Sequence, residues 1–270
     1  MKKSFCILAV PLLISLLTGC TSSNASSRKI WKDIKASELI SQQQLPENKT
    51  ITIGLYIYLF RIQADKLMEL GEQISRTDAL PVKYNDPAAF SANGFAGCAG
   101  NRISWLKIAP ILAQSLPEVK KRINLLITEN IADDIVIAEL PGPVSVIYRS
   151  GSATAGIGFD AGRIVLRIKA ELLIGLRQVC RLDVTPVYIT GVRQKTKKQP
   201  ASQANYEFAF ESAALNARLQ PGQFVLLAPA QMQTDQTGTK ILGDIMFYSQ
   251  SPQHTANLYL IACSMINNPL

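Results

Sequence analysis

Histidine is almost missing from this chain: His254 is the one example in 270 residues. A Ser-His-Asp or Cys-His catalytic set would have to use it, and a histidine-rich metal centre has no residues to draw on. His254 lies in the polar stretch SPQH, where an imidazole is ordinarily just solvated. Cysteine is scarce as well, with five residues and no pair at zinc-site spacing. Long hydrophobic runs are lacking: the longest, Phe5 to Leu17, is too short to cross about 30 Å of hydrocarbon as a helix. Aromatics make up 7% of residues, and none interleaves with the two basic runs, Lys120-Lys121-Arg122 and Arg193 to Lys198. The formal charge of +8 therefore reads as solvated loop charge, not as a nucleic-acid surface. Neither a metal nor a cofactor is expected.

What is present begins at the N-terminus. Lys2 and Lys3 precede the apolar run, which closes on Leu17-Thr18-Gly19-Cys20. Basic start, short apolar stretch and small residues make a targeting element. The closing tetrapeptide resembles the lipobox of bacterial lipoproteins. The resemblance implies cleavage before Cys20, a diacylglycerol on its thiol and an acyl group such as palmitate on the new N-terminus. Two or three such chains hold a protein stably on a membrane, since each buried methylene contributes about 0.8 kcal/mol. Thr21 stands where aspartate favours inner-membrane retention, so the expected position is the outer membrane, facing the periplasm. Cys6 leaves with the signal and the charge falls to +6 with Lys2 and Lys3. Cys98, Cys180 and Cys263 remain, an odd number from which no pairing follows.

Residues 1–19 thus read as a signal and 20–49, rich in Ser, Asn, Gln and Lys, as a polar tether with a short helix near Lys32 to Ile40. The expected fold class is α+β: a small β-α-β-β-α region at 50–122 and a mainly antiparallel β domain at 123–270. Ile51 to Phe60 is β-branched and aromatic, the pattern of a strand buried on both faces. Asp65 to Arg76 has Leu67, Leu70 and Ile74 at helical spacing. Extended pieces are expected at Pro81 to Tyr84 and Phe90 to Phe95, and a helix at 103–116 that contains Pro110. Further on, Arg163 to Leu172 alternates cleanly. Ile164, Leu166, Ile168, Ala170 and Leu172 share one face, with Arg163, Arg167, Lys169 and Glu171 on the other, as an antiparallel sheet with one wet side requires. Val179 to Ile189 repeats this with Cys180, Leu182 and Val184 against Arg181, Asp183 and Thr185. Cys180 and Cys263 fall in apolar strand segments, where a thiol behaves as a small buried hydrophobe. A long exposed loop is expected at Gly191 to Asn205, and strands at Tyr206 to Phe210, Phe224 to Ala228, Ile241 to Tyr248 and Leu258 to Ile266.

Three patterns touch on chemistry. Gly156-Ile-Gly158-Phe-Asp-Ala161 has dinucleotide-binding spacing, but the pyrophosphate needs a helix directly after the glycines, and Arg163 opens a strand. A hairpin turn is the expectation there. Asp133-Asp134 reads as a turn. Glu171 and Asp183 read as cross-strand partners of Arg167 or Arg181, although two such acids are what a carboxylate-based hydrolase would need.

Residues 219–247, LQPGQFVLLAPAQMQTDQTGTKILGDIMF, followed by LYLIACSMI at 258–266, resemble the end of the secretin family, the outer-membrane ring channels of secretion and pilus systems. Pro221 and Gly222 in a turn, then Leu242, Gly243, Asp244 and Ile245, carry the resemblance. Met246 stands where the family has proline. The resemblance implies a subunit or accessory part of an envelope ring that acts by self-association, as a homo-oligomer or with other envelope proteins. The expected function is a lipid-anchored, non-enzymatic envelope protein with a structural or assembly role. Its alternatives are a periplasm-facing ligand- or glycan-binding lipoprotein and the hydrolase above.

Overall fold

Two antiparallel sheets face each other across one apolar core, and a pair of helices covers the back of the first. The computed structural model describes residues 51–267 apart from 77–79, 116–118, 130, 191–205, 231–239 and 249–254. Strand β1 (Thr52–Gln63) follows its sequence closely. Ile53, Leu55 and Ile57 enter the core between the sheets, while Tyr56, Tyr58, Phe60 and Ile62 enter a second core beneath the helices. A strand buried on both sides has no room for polar alternation, which is why TIGLYIYLFRIQ shows almost none. Its neighbours are β4 (Val119–Thr128) and β14 (Thr255–Asn267), both antiparallel. Beyond β14 lie β12 (Phe224–Pro229) and β3 (Phe95–Gly100), giving the order β3-β12-β14-β1-β4.

The helices behind this sheet are α1 (Ala64–Arg76) and α3 (Arg102–Ser115). Leu67 and Leu70 of α1 meet Trp105, Ile108, Ile111 and Leu112 of α3 over the sheet's aromatic face. Asn101 opens α3 by accepting the amides of Ile103 at 2.9 Å and Ser104 at 3.3 Å, two of the donors a helix start leaves unpaired. No helix among the described residues is long and apolar enough to cross a membrane.

The second sheet runs β2 (Val82–Tyr84), β11 (Leu215–Leu219), β9 (Cys180–Thr190), β8 (Gly162–Leu172) and β5 (Ala132–Leu140), with β10 (Glu207–Ala209) paired to the far half of β9. Ile164, Leu166, Ile168 and Ala170 point into the core beside Cys180, Leu182 and Val184, as their alternation predicts. A smaller ribbon, β6 (Val144–Ser150) with β7 (Ala153–Phe159), is extended by β13 (Lys240–Ile241) in parallel with β6. Antiparallel sheets with a few helices make this an α+β fold dominated by strands.

Several local expectations give way. Phe90 belongs to α2 (Pro87–Ala92), not to a strand. Asp86 caps it by accepting the Ala89 amide at 2.9 Å, with proline at the first helical position, a start signal that outweighs the apolar run behind it. The order at the start is therefore β-α-β-α-β-α. Residues expected as a strand at 241–248 form β13 and then α4 (Leu242–Tyr248). Gly156 and Gly158 lie within β7, and the hairpin turns instead at Gly151, where φ is 58°. Asp133 and Asp134 are in β5. The boundary expected at residue 122 falls inside β4, and β1 and β3 from before it pair with β14 and β12 from after it. One sheet thus draws on both halves, because β1 can satisfy its backbone on both edges only between β4 and β14. The expected loop at Gly191 to Asn205 and helix near Lys32 lie outside the described residues.

Candidate functional site

The residues of the secretin-like pattern meet the fold at two places. Pro221 and Gly222 make the turn from β11 to β12. Gly222 has φ 85°, which favours glycine, and its amide donates to Cys263 O at 2.8 Å. Leu242, Gly243, Asp244 and Ile245 form the first turn of α4, near the other end of β14, where the Tyr259 hydroxyl donates to Met246 O at 2.9 Å. Leu242 and Ile245 are buried in the inter-sheet core.

The start of α4 is set by Asn93, a fully buried residue that sequence reasoning passed over. The amide of Gly243 donates to Asn93 O at 2.8 Å. The Asn93 side chain donates to Arg149 O and accepts from Arg149 N, both at 2.8 Å, so its amide clamps β6 as a backbone group would. The Asn93 amide in turn caps α2 through Ala89 O at 2.8 Å. Asp86 uses its second carboxylate oxygen on the Gly151 amide at 3.0 Å. Tyr148 Oη accepts the Ser212 amide at 2.8 Å, and Ser212 Oγ donates to Ser150 Oγ at 2.9 Å. Four segments distant in sequence are thus tied by fully engaged polar groups. Asp244 accepts from Ile241 N at 3.1 Å, and burial pushes its carboxyl above the ordinary value, partly offset by that hydrogen bond and by Lys240. Asp86-Pro87, a helix start not read from the sequence, is the one local signal that leads here.

The outer face of the second sheet carries the charged residues. Arg167 holds Asp134 with two hydrogen bonds of 2.8 Å and Glu207 with one of 2.7 Å, linking β5, β8 and β10. Two hydrogen-bonded carboxylates hold this guanidinium's pKa well above its ordinary value. Arg181 bridges Glu171 and Asp183, each at 3.1 Å. The acids that a hydrolase would use are both held by Arg181, Glu171 across strands and Asp183 from along β9 itself, and the pairs are partly exposed, where each adds little stability. Among the described residues no cluster of His, Cys, Asp and Glu has the makings of a metal site. On the first sheet, Arg122 lies over the Tyr56 ring, 4.4 Å from its centroid, so one basic run does meet an aromatic, across strands and not along the chain.

Cys98 lies in the core beneath the helices, and burial pushes its thiol up to about 12. Such a thiol is inert as a nucleophile. Cys180 and Cys263 sit together in the inter-sheet core. Cys20 and His254 lie outside the described residues.

Neither a scan against protein families nor a search of curated proteins finds a match. Solved structures similar to the chain include the secretin-domain β-barrel of InvG from the Salmonella SPI-1 injectisome, at 11% identity and a TM-score of 0.24, covering 82% of this chain and 64% of that one. A second is the injectisome secretin InvG from the same system, at 11% identity and a TM-score of 0.19, covering 81% and 63%. The chain spans less than two thirds of the length of either.

Proposed function

We propose that this chain is a lipid-anchored envelope protein whose β-rich body has a structural, assembly role. The observation that carries the reading is Leu17-Thr18-Gly19-Cys20 at the close of a short apolar run, followed by a polar stretch that ends where β1 begins. An acyl anchor on Cys20 holds the body near a membrane without any apolar surface of its own. The body has a route to assembly. β4 ends the first sheet, and its outer edge carries no partner strand among the described residues. Such an edge accepts a further strand through main-chain hydrogen bonds. Lys121 and Arg122, both exposed on it, guard against indiscriminate pairing and favour a partner strand bearing acidic side chains.

The test is on Cys20. Wild-type protein should incorporate labelled palmitate and sediment with membranes, and Cys20→Ser should do neither. Unchanged processing and sedimentation of that variant would refute the anchor. Light scattering on detergent-extracted protein addresses assembly separately: a defined oligomer supports it, and a clean monomer sinks the self-associating version.

A further inference from the structure

Two thiols remain that no role above absorbs. Cys180 on β9 and Cys263 on β14 belong to opposite sheets, each 0% exposed and each within the core between them. The chain crosses from one sheet to the other beside this pair. Leu219, the last residue of β11, is in register opposite Cys180. Just past it, Gly222 N donates to Cys263 O at 2.8 Å and Cys263 N donates to Gln223 O at 2.9 Å. The turn from Leu219 to Gly222 therefore ties the backbone of one cysteine strand to that of the other and holds the sheets close at this corner. The side chains share the closeness: both thiols are free and buried in the same core, and each is the main influence on the other's titration, lowering Cys180 and raising Cys263. The shared corner thus places the two thiols within one another's surroundings, the proximity a disulfide requires. Cys98 is not a competitor, since it sits on the helix-covered side of the first sheet and Cys263 on the other.

We propose that Cys180 and Cys263 join in a disulfide that staples the two sheets at the β11–β12 corner. The oxidant is a disulfide, either glutathione disulfide or the active-site disulfide of a thiol-oxidising protein. One cysteine, as thiolate, attacks a sulfur of that disulfide, forming a mixed disulfide and releasing one thiolate. The other cysteine, having given up its proton, attacks the mixed disulfide, forming the Cys180–Cys263 bond and releasing the second. Two protons leave the protein, and its two electrons reside on the reduced oxidant. Because the closed core excludes solvent, exchange takes place during folding, before the sheets meet. The cysteines are 83 positions apart, so the bond restrains a long segment of the unfolded chain. Formation inside cells rests on the export reading above; the pairing itself does not.

The experiment uses the full chain, unfolded and reduced, then refolded in a mixture of glutathione and glutathione disulfide, alkylated and digested without reductant. Expected are one linked peptide pair holding Cys180 and Cys263, an alkylated Cys98, and a thermal midpoint about 10 °C above that of the same sample after reduction. Alkylation of both Cys180 and Cys263, or any linkage through Cys98, overturns the proposal. The same digest on protein recovered from cells separates the two readings. A bond in cells supports the staple. A bond formed on refolding beside free thiols in cells leaves the pairing standing and counts against export.

Discussion

Gly243 stands where a side chain has no room. A Cβ there would lie 2.7 Å from Gly94 O and 2.9 Å from Asn93 O, and both atoms are backbone that cannot rotate away. Gly243→Ala should therefore lower stability by about 2 kcal/mol, read as a reduced urea midpoint with unchanged slope. Its neighbour Asp244 gives a pH signature. Burial raises its carboxyl pKa in the folded state, so the folded protein holds this proton more tightly than the unfolded chain does. The stabilisation this provides is complete below the unfolded value of about 4 and is lost as pH rises through the folded value. Measured against Asp244→Asn, the wild type should lose relative stability as pH rises above about 4, and a flat difference would contradict the assignment. None of this junction could be read from spacing, because Asn93 finds its side-chain partner at Arg149, across 56 positions of chain. Asparagine after a short apolar run looks like any turn residue.

At the scale of elements, legibility followed burial geometry. β8 and β9 were readable because one face meets the core and the other meets water, which forces a period of two on the residues. α1 was readable from its 3.6-residue period. α4 was not: LGDIMFY is a short apolar run, and such runs fit a buried strand or a buried helix equally well by periodicity. Leu242, Ile245, Met246 and Phe247 are all buried, so the helix has no wet face to reveal its period. At α3 the cap is local, and the prediction is correspondingly simple. Asn101→Ala removes the acceptor for two amides and should cost about 1 kcal/mol in thermal or denaturant unfolding, whereas Asn101→Asp should retain most of it. Equal losses in the two variants would place the effect elsewhere.

For the molecule as a whole, the first sheet is the controlling feature. β1 lies between β4, which follows it by about sixty residues, and β14 at the far end of the described chain. The interleaving predicts that residues 123–270 expressed alone will not fold. Without β1 and β3, β14 and β12 each lose an antiparallel partner, and the apolar faces of the remaining strands are left open. Circular dichroism of that fragment should show no cooperative melt, and a sharp transition would restore the two-domain reading. Pairing the first strand with the last also makes folding depend on distant contacts, which slows it and leaves time for thiol exchange before the core closes.

By itself, the amino-acid sequence determined the class of the fold, the faces of β1, β8 and β9, the helices α1 and α3, and the LTGC signature at residue 20. Each of these is written locally, in a period, a cap or a short motif. Tertiary structure alone decided that the two halves share a sheet, that LGDI starts a helix seated on Asn93, and that Cys180 meets Cys263. Those outcomes depend on which backbone edges and buried groups remain unpaired once the strands have come together, a condition that arises only between segments far apart in the chain.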